Sequence, residues 1–141
     1  TDLSIVGRKK DLIVTSGGKN IAPHHIEVEI KKSQLVSQAV LIGDGRKYCV
    51  ALVSLNVSEA RRLAATKGVA TEKLHEADVV HAAIWSHISK VNEELPSYET
   101  IKRLYIVPED FSVENGQMTP TFKIKRNVVE QVYKSQIDAL Y

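Results

Sequence analysis

The stretch Gly7-Arg8-Lys9-Lys10-Asp11-Leu12-Ile13-Val14-Thr15-Ser16-Gly17-Gly18-Lys19-Asn20-Ile21-Ala22-Pro23-His24-His25-Ile26-Glu27 carries more information than any other part of the chain. Leu12-Ile13-Val14 is a short β-prone run. Ser16-Gly17-Gly18 breaks it, because paired glycines permit positive φ and let another group approach bare backbone. Asn20-Ile21-Ala22 then leads into a helix with Pro23 as its first residue, where the missing amide hydrogen does no harm. The local plan is strand, glycine turn, helix start. On these residues alone the turn is either a plain tight turn or a place where a ligand passes against backbone.

Working outward, the helix from Pro23 is expected to reach about Lys32, with Ile26 and Ile30 on one face and Glu27 and Glu29 ahead of Lys31-Lys32 along the dipole. His24 and His25 read as exposed. His75, His81 and His87 lack the i, i+4 spacing of a helical metal pair, so no metal site is expected. Val36 to Ile42 and Tyr48 to Leu55 read as two strands of a hairpin. The Gly43-Asp44-Gly45-Arg46-Lys47 loop between them has no P-loop pattern and reads as its turn. Cys49 falls inside the second strand as an inert core thiol. A helix over Glu59 to Lys67 is expected, with Ser58 as N-cap and Gly68 as its end. Asp78 is the expected cap of a longer helix striped by Val80, Ile84, Ile88, Val91 and Leu95, with Trp85 at the margin and Pro96 as its end. Arg103 to Val107 reads as a strand. Val128, Val129, Val132, Tyr133, Ile137 and Leu140 carry helical spacing to the last residues. On the other side of the opening stretch, Leu3 to Val6 reads as a short strand and Arg8 to Asp11 as a charged connector.

Composition narrows the classes. The 141 residues suffice for one domain with a real core. Nineteen basic against seventeen acidic residues leave a net charge of +2, too small to suggest nucleic acid, and aromatics are only 6%. The single cysteine, Cys49, allows no internal disulfide and is simplest to reconcile with a reducing, cytoplasmic compartment. Residues 1 to 15 lack the plan of a signal peptide. No apolar run approaches the roughly 20 residues that span a bilayer. Thr1 in place of an initiating Met suggests a fragment or a processed chain.

The opening stretch resembles the signature at the start of the C-terminal domain of acyl-adenylate-forming enzymes: the acyl-CoA synthetases, luciferases and peptide-synthetase adenylation domains. Gly7, Arg8, Lys10, Asp11, Gly17, Gly18, Pro23, Ile26 and Glu27 all fit its pattern. A second motif agrees. Met118-Thr119-Pro120-Thr121-Phe122-Lys123-Ile124-Lys125-Arg126 is similar to the last motif of that family. Thr121-Phe122 replaces the usual Ser-Gly, as in the long-chain acyl-CoA synthetase branch, and the stretches Val91-Asn92-Glu93-Glu94-Leu95 and Asp110 to Thr119 look like that branch too. The resemblance runs from Leu3 to the last helix and is closest to long-chain fatty acid–CoA ligases of bacterial type.

The resemblance implies an α+β fold: a small central sheet, mainly antiparallel, flanked by helices, with a short hairpin near the hinge. Residues 1–9 would be the tail of a missing N-terminal domain, and residues 10–141 a mobile C-terminal domain. Lys123 would be the catalytic lysine of adenylation, where a fatty acid carboxylate attacks the α-phosphorus of ATP. Both reactants are anions, so a compact cation with freely turning donors suits that transition state. Arg8 would contact the nucleotide, Gly17 and Gly18 would line the pantetheine tunnel, and Lys10 would be the hinge. Implied substrates and cofactors are ATP, CoA and a fatty acid, with Mg2+ held on ATP mainly by the N-terminal domain. The partner is that domain; peripheral membrane contact stays open. The rival readings are a medium-chain synthetase, a fatty-acyl-AMP ligase serving a carrier protein, and a non-catalytic nucleic-acid module.

Overall fold

Three strands of the sequence meet in one sheet with an apolar layer on each side. The computed structural model describes residues 12–68, 74–121 and 123–141. β1 (Ile13–Val14) and β2 (Asn20–Ile21) form a small antiparallel hairpin with Ile13 opposite Ile21. α1 (Pro23–Ile30) follows, then β3 (Val36–Ile42) and β4 (Cys49–Leu55), antiparallel with Ile42 opposite Val50. α2 (Val57–Thr66) and α3 (Asp78–Glu93) cross over to β5 (Ile101–Ile106), which lies parallel to β4 in the order β3-β4-β5. α4 (Arg126–Val132) and α5 (Lys134–Asp138) end the chain. The architecture is the expected α+β one, with two antiparallel pairings and one parallel pairing.

β4 is buried along its whole length, which is why Cys49-Val50-Ala51-Leu52-Val53 reads as a continuous apolar run and not as an alternation. Its residues part to two layers. Cys49, Ala51, Val53 and Leu55 join Leu41 of β3, the β1–β2 isoleucines, and the apolar stripes of α1, α2 and α3. Val50 and Leu52 join Val40, Ile42, Phe111, Met118, Val129 and Ile137. The stripe Val80, Ile84, Ile88 and Val91 faces the first layer as its spacing requires, with Trp85 at the margin.

Several expected boundaries move. Asn20–Ile21 is a returning strand and not a simple lead into α1, so the glycine turn sits inside a hairpin. α1 stops at Ile30. The α2 cap is Asn56, whose side chain accepts from the Glu59 N–H, so Ser58 lies inside the helix. Asp78 is the first residue of α3 and Ala77 its cap. β5 begins two residues earlier than expected, at Ile101. The last helical run breaks at Tyr133, whose φ of −106° and ψ of 23° end α4, and Val132 faces solvent. The strand expected over Leu3 to Val6 and the boundary near Lys10 lie outside the described residues.

Candidate functional site

The glycine loop joins β1 to β2. The Thr15 N–H donates to the Lys19 carbonyl at 3.0 Å, and the Gly18 N–H to the Thr15 carbonyl at 2.9 Å. Thr15 Oγ1 accepts from the Lys19 N–H at 3.1 Å. Gly18 has φ of +84°, the left-handed region where a Cβ is strained. A Cβ at Gly18 would meet nothing within 4 Å, and one at Gly17 only Thr15 Oγ1 at 3.9 Å. The outer edge of the loop is therefore bare, accessible backbone. Gly43 is different, because its Cβ would lie 3.0 Å from Cys49 Sγ.

The loop rests on the β3–β4 turn. Ser16 N–H donates to the Arg46 carbonyl at 2.9 Å, Gly45 N–H to the Val14 carbonyl at 2.8 Å, and Val14 N–H to Asp44 Oδ1 at 3.1 Å. The turn is the expected hairpin connection, and it also buttresses the glycine loop, which no spacing in the sequence reveals. Beside it opens a hollow of about 470 Å³ lined by Ser16, Gly45, Arg46, Lys47, Tyr48 and Tyr141. Arg46 lies 4.9 Å over the Tyr141 ring and 2.7 Å from Asp138, whose carboxyl it and Lys134 hold below the usual range.

Lys123 stands at the foot of a second loop. Thr119 N–H donates to the Lys123 carbonyl at 2.8 Å, and Lys123 N–H to Thr119 Oγ1 at 3.1 Å. Met118 pairs with Ile124, and Lys125 N–H donates to the Gln117 carbonyl at 2.8 Å. The chain thus closes on itself, and the Lys123 side chain is exposed. Phe122 lies outside the described residues, as do Arg8 and Lys10.

The two motifs meet through an ion pair. Glu27 Oε2 on α1 pairs with Arg126 Nη2 at the start of α4, across 99 residues of chain. The same carboxylate accepts from the Leu41 N–H at 2.8 Å, and Arg126 Nε donates to the Leu41 carbonyl at 3.2 Å. Both residues stood in the quoted motifs, but spacing does not reveal a contact between them.

The glycine loop and the Lys123 loop are anchored in different apolar layers. The strands that carry the loop pack in the first apolar layer through Ile13 and Ile21, whereas Met118 and Ile124, which flank the Lys123 loop, belong to the second. The sheet stands between those layers. Cys49 is buried, and burial pushes its thiol up to about 11, as an inert core residue requires. His24 and His25 are exposed as expected. Among the described residues no group of three or more His, Cys, Asp or Glu is placed to hold a metal ion, and no helix is long and apolar enough to cross a membrane.

Comparison with known proteins identifies the family. Residues 10–141 match the family model described as "AMP-binding enzyme C-terminal domain". The chain is 36% identical over 143 residues to the long-chain-fatty-acid–CoA ligase FadD15 of Mycobacterium tuberculosis, covering 99% of this chain and 24% of that protein. It is 31% identical over 160 residues to the human long-chain-fatty-acid–CoA ligase ACSBG2, again covering 99% of this chain and 24% of the relative. Among solved structures, the A domain of a carboxylic acid reductase from Segniliparus rugosus, in complex with AMP and a co-purified carboxylic acid, superposes with a TM-score of 0.76 at 28% identity, over 95% of this chain and 20% of that one. The chain spans about a quarter of the length of these curated relatives. It belongs to the AMP-binding enzyme C-terminal domain family, the C-terminal domain of adenylate-forming enzymes.

Proposed function

We propose that this chain is the C-terminal domain of a cytoplasmic, ATP-dependent long-chain fatty acid–CoA ligase. The whole enzyme converts fatty acid, ATP and CoA to acyl-CoA, AMP and pyrophosphate through an acyl-adenylate. The observation that carries the reading is the anchoring of the two motif loops in different apolar layers of one sheet, together with the similarity to long-chain ligases over 99% of the chain. One small domain with two separated loops suits a reaction in two steps with different needs. In the first, Lys123 neutralises charge between the carboxylate and the α-phosphate, with Arg8 on the nucleotide. In the second, Gly17 and Gly18 offer a wall without side chains to the pantetheine arm, whose thiol attacks the acyl carbonyl and releases AMP. Turning about Lys10 against the N-terminal domain brings each loop to the reacting carbonyl. Mg2+ arrives with ATP and is held mainly by the N-terminal domain.

The experiment is the Lys123→Ala variant of the full-length enzyme. Fatty-acid-dependent ATP–pyrophosphate exchange should fall by about 10²–10³, as for the loss of one preorganised donor to developing charge. Conversion of supplied acyl-adenylate and CoA to thioester should be largely spared. Equal loss in both steps would refute the division of labour.

A second reading has its own support. The carboxylic acid reductase adenylation domains superpose with TM-scores of 0.74 to 0.78, above the 0.55 of a Mycobacterium tuberculosis fatty acyl CoA synthetase. On that reading the acceptor is a carrier protein's pantetheine. Supplying free CoA and a pantetheinylated carrier as rival acceptors to the full-length enzyme decides between them.

A further inference from the structure

We propose that Glu27 is a positioning residue for Lys123, acting through Arg126 across the open edge of β3. The inference rests on the reading of Lys123 as the adenylation lysine. β3 is an edge strand, and Leu41 presents both its N–H and its carbonyl to side chains there. Edge groups left bare invite pairing with other chains, so a clip over them has a structural use. This clip also has a direction. Arg126 follows Lys123 by three residues, and its planar fork splits between the Glu27 carboxylate and the Leu41 carbonyl. Among the described residues, the Lys123 backbone bonds to the Thr119 N–H and hydroxyl, within its own loop. Arg126 is a polar tie from that loop to the sheet. Its place is unexplained by α4, since a cation at a helix N-terminus opposes the dipole and α4 has no side-chain cap. Glu27 accounts for it. The side chains are only 23% and 14% exposed, so the pair is screened less than a surface ion pair.

The clip also joins the segment after Lys123 to α1, the helix that leaves the glycine-loop hairpin. Breaking it should loosen Lys123 without disturbing the glycine loop. The test uses the full-length enzyme with Glu27→Gln, Arg126→Gln, the double variant and Lys123→Ala. Glu27→Gln is isosteric, and its amide oxygen can still accept from Leu41, so only the charge toward Arg126 is lost. Exchange turnover should fall about 10- to 100-fold, the scale of a roughly 1 Å misplacement, with KM for ATP nearly unchanged. Thioester formation from supplied acyl-adenylate should stay near wild type. The double variant should be no worse than the worse single one. Amide hydrogen exchange over Thr119–Lys125 should quicken in Glu27→Gln, which a role confined to α1 would not produce. Equal loss in both half-reactions, additive singles, or unchanged hydrogen exchange would overturn the proposal. If Lys123→Ala spares exchange, the reading of Lys123 fails instead, and hydrogen exchange still decides whether Glu27 holds the loop. If Arg126→Gln does not fold, Glu27→Gln and its hydrogen exchange carry the test.

Discussion

An added Cβ at Gly43 would lie 3.0 Å from Cys49 Sγ and 3.3 Å from Ile13 Cγ2, inside the first apolar layer. Gly43→Ala should therefore lower stability by about 1–3 kcal/mol through overpacking, read as a lower urea midpoint. Gly17 has open space and no positive φ, so Gly17→Leu should fold normally and slow thioester formation more than adenylation in the full-length enzyme. If it abolishes adenylation and spares the thioester, the tunnel is misplaced. The buried Cys49 thiol gives a pH dependence. It keeps its proton in the fold to about 11, while the unfolded thiol releases it near 9.0. Above that lower value the unfolded chain binds fewer protons, so the stabilisation, present in full below pH 9, is lost as pH climbs toward 11. The ceiling on that loss is about 3 kcal/mol. Cys49→Ala should flatten that limb of the stability profile between pH 9 and 11. Residues such as these were legible in kind from the sequence: Cys49 in a strand reads as core. The tight glycine did not stand out among Gly43, Gly45 and the motif pair, because crowding depends on the Cys49 and Ile13 side chains that the fold brings to it.

Both edges of the three-stranded sheet are closed by side chains of neighbouring helices. On β5, Asn92 near the end of α3 accepts from the Ile101 N–H at 2.8 Å and donates to its carbonyl at 2.9 Å, copying the bonds of a neighbouring strand. Ile101 is almost fully buried, so water cannot replace these bonds. Asn92→Ala should destabilise by about 2–4 kcal/mol, because two buried backbone groups lose their partners. Asn92→Asp, which keeps only the acceptor, should be no better than Ala in a thermal melt; near-wild-type stability in either variant would show the edge to be hydrated. At this scale the sequence was informative where periodicity was strong, as along α3, and poor where a side chain does the work of backbone. Asn92 stood out only as part of the stretch from Val91 to Leu95 that resembles the long-chain branch, and nothing there points to its partner Ile101, which lies beyond Pro96. Asn20–Ile21 was lost as a strand because two residues are too few to show alternation, and the Asn56 cap was lost to a nearby serine of equal propensity.

For the whole protein, the sharpest prediction concerns Lys10, which the resemblance makes a hinge. In the full-length enzyme, Lys10→Pro fixes φ near −65° and should hold one pose, so exchange continues while acyl-CoA formation collapses. Lys10→Ala keeps the torsional freedom and should be mild in both steps. Equal damage from the two variants would mean that Lys10 acts through its charge. The identity of the domain was legible because two motifs, each with many matched positions, lie about ninety residues apart in the order the family requires. Their three-dimensional relation was not, since nothing in either motif says which layer of the sheet it will stand on. That relation has a temporal consequence. Packed layers sit about 10 Å from a sheet, so the strands are a partition between the two layers that anchor the loops. On the proposed reading the partition works as a clock: a thiol cannot be admitted while the lysine faces the carboxylate, and a fresh ATP cannot be engaged while the arm is in place. Sequence of events would then be enforced by wall thickness, with no timer needed beyond the fold.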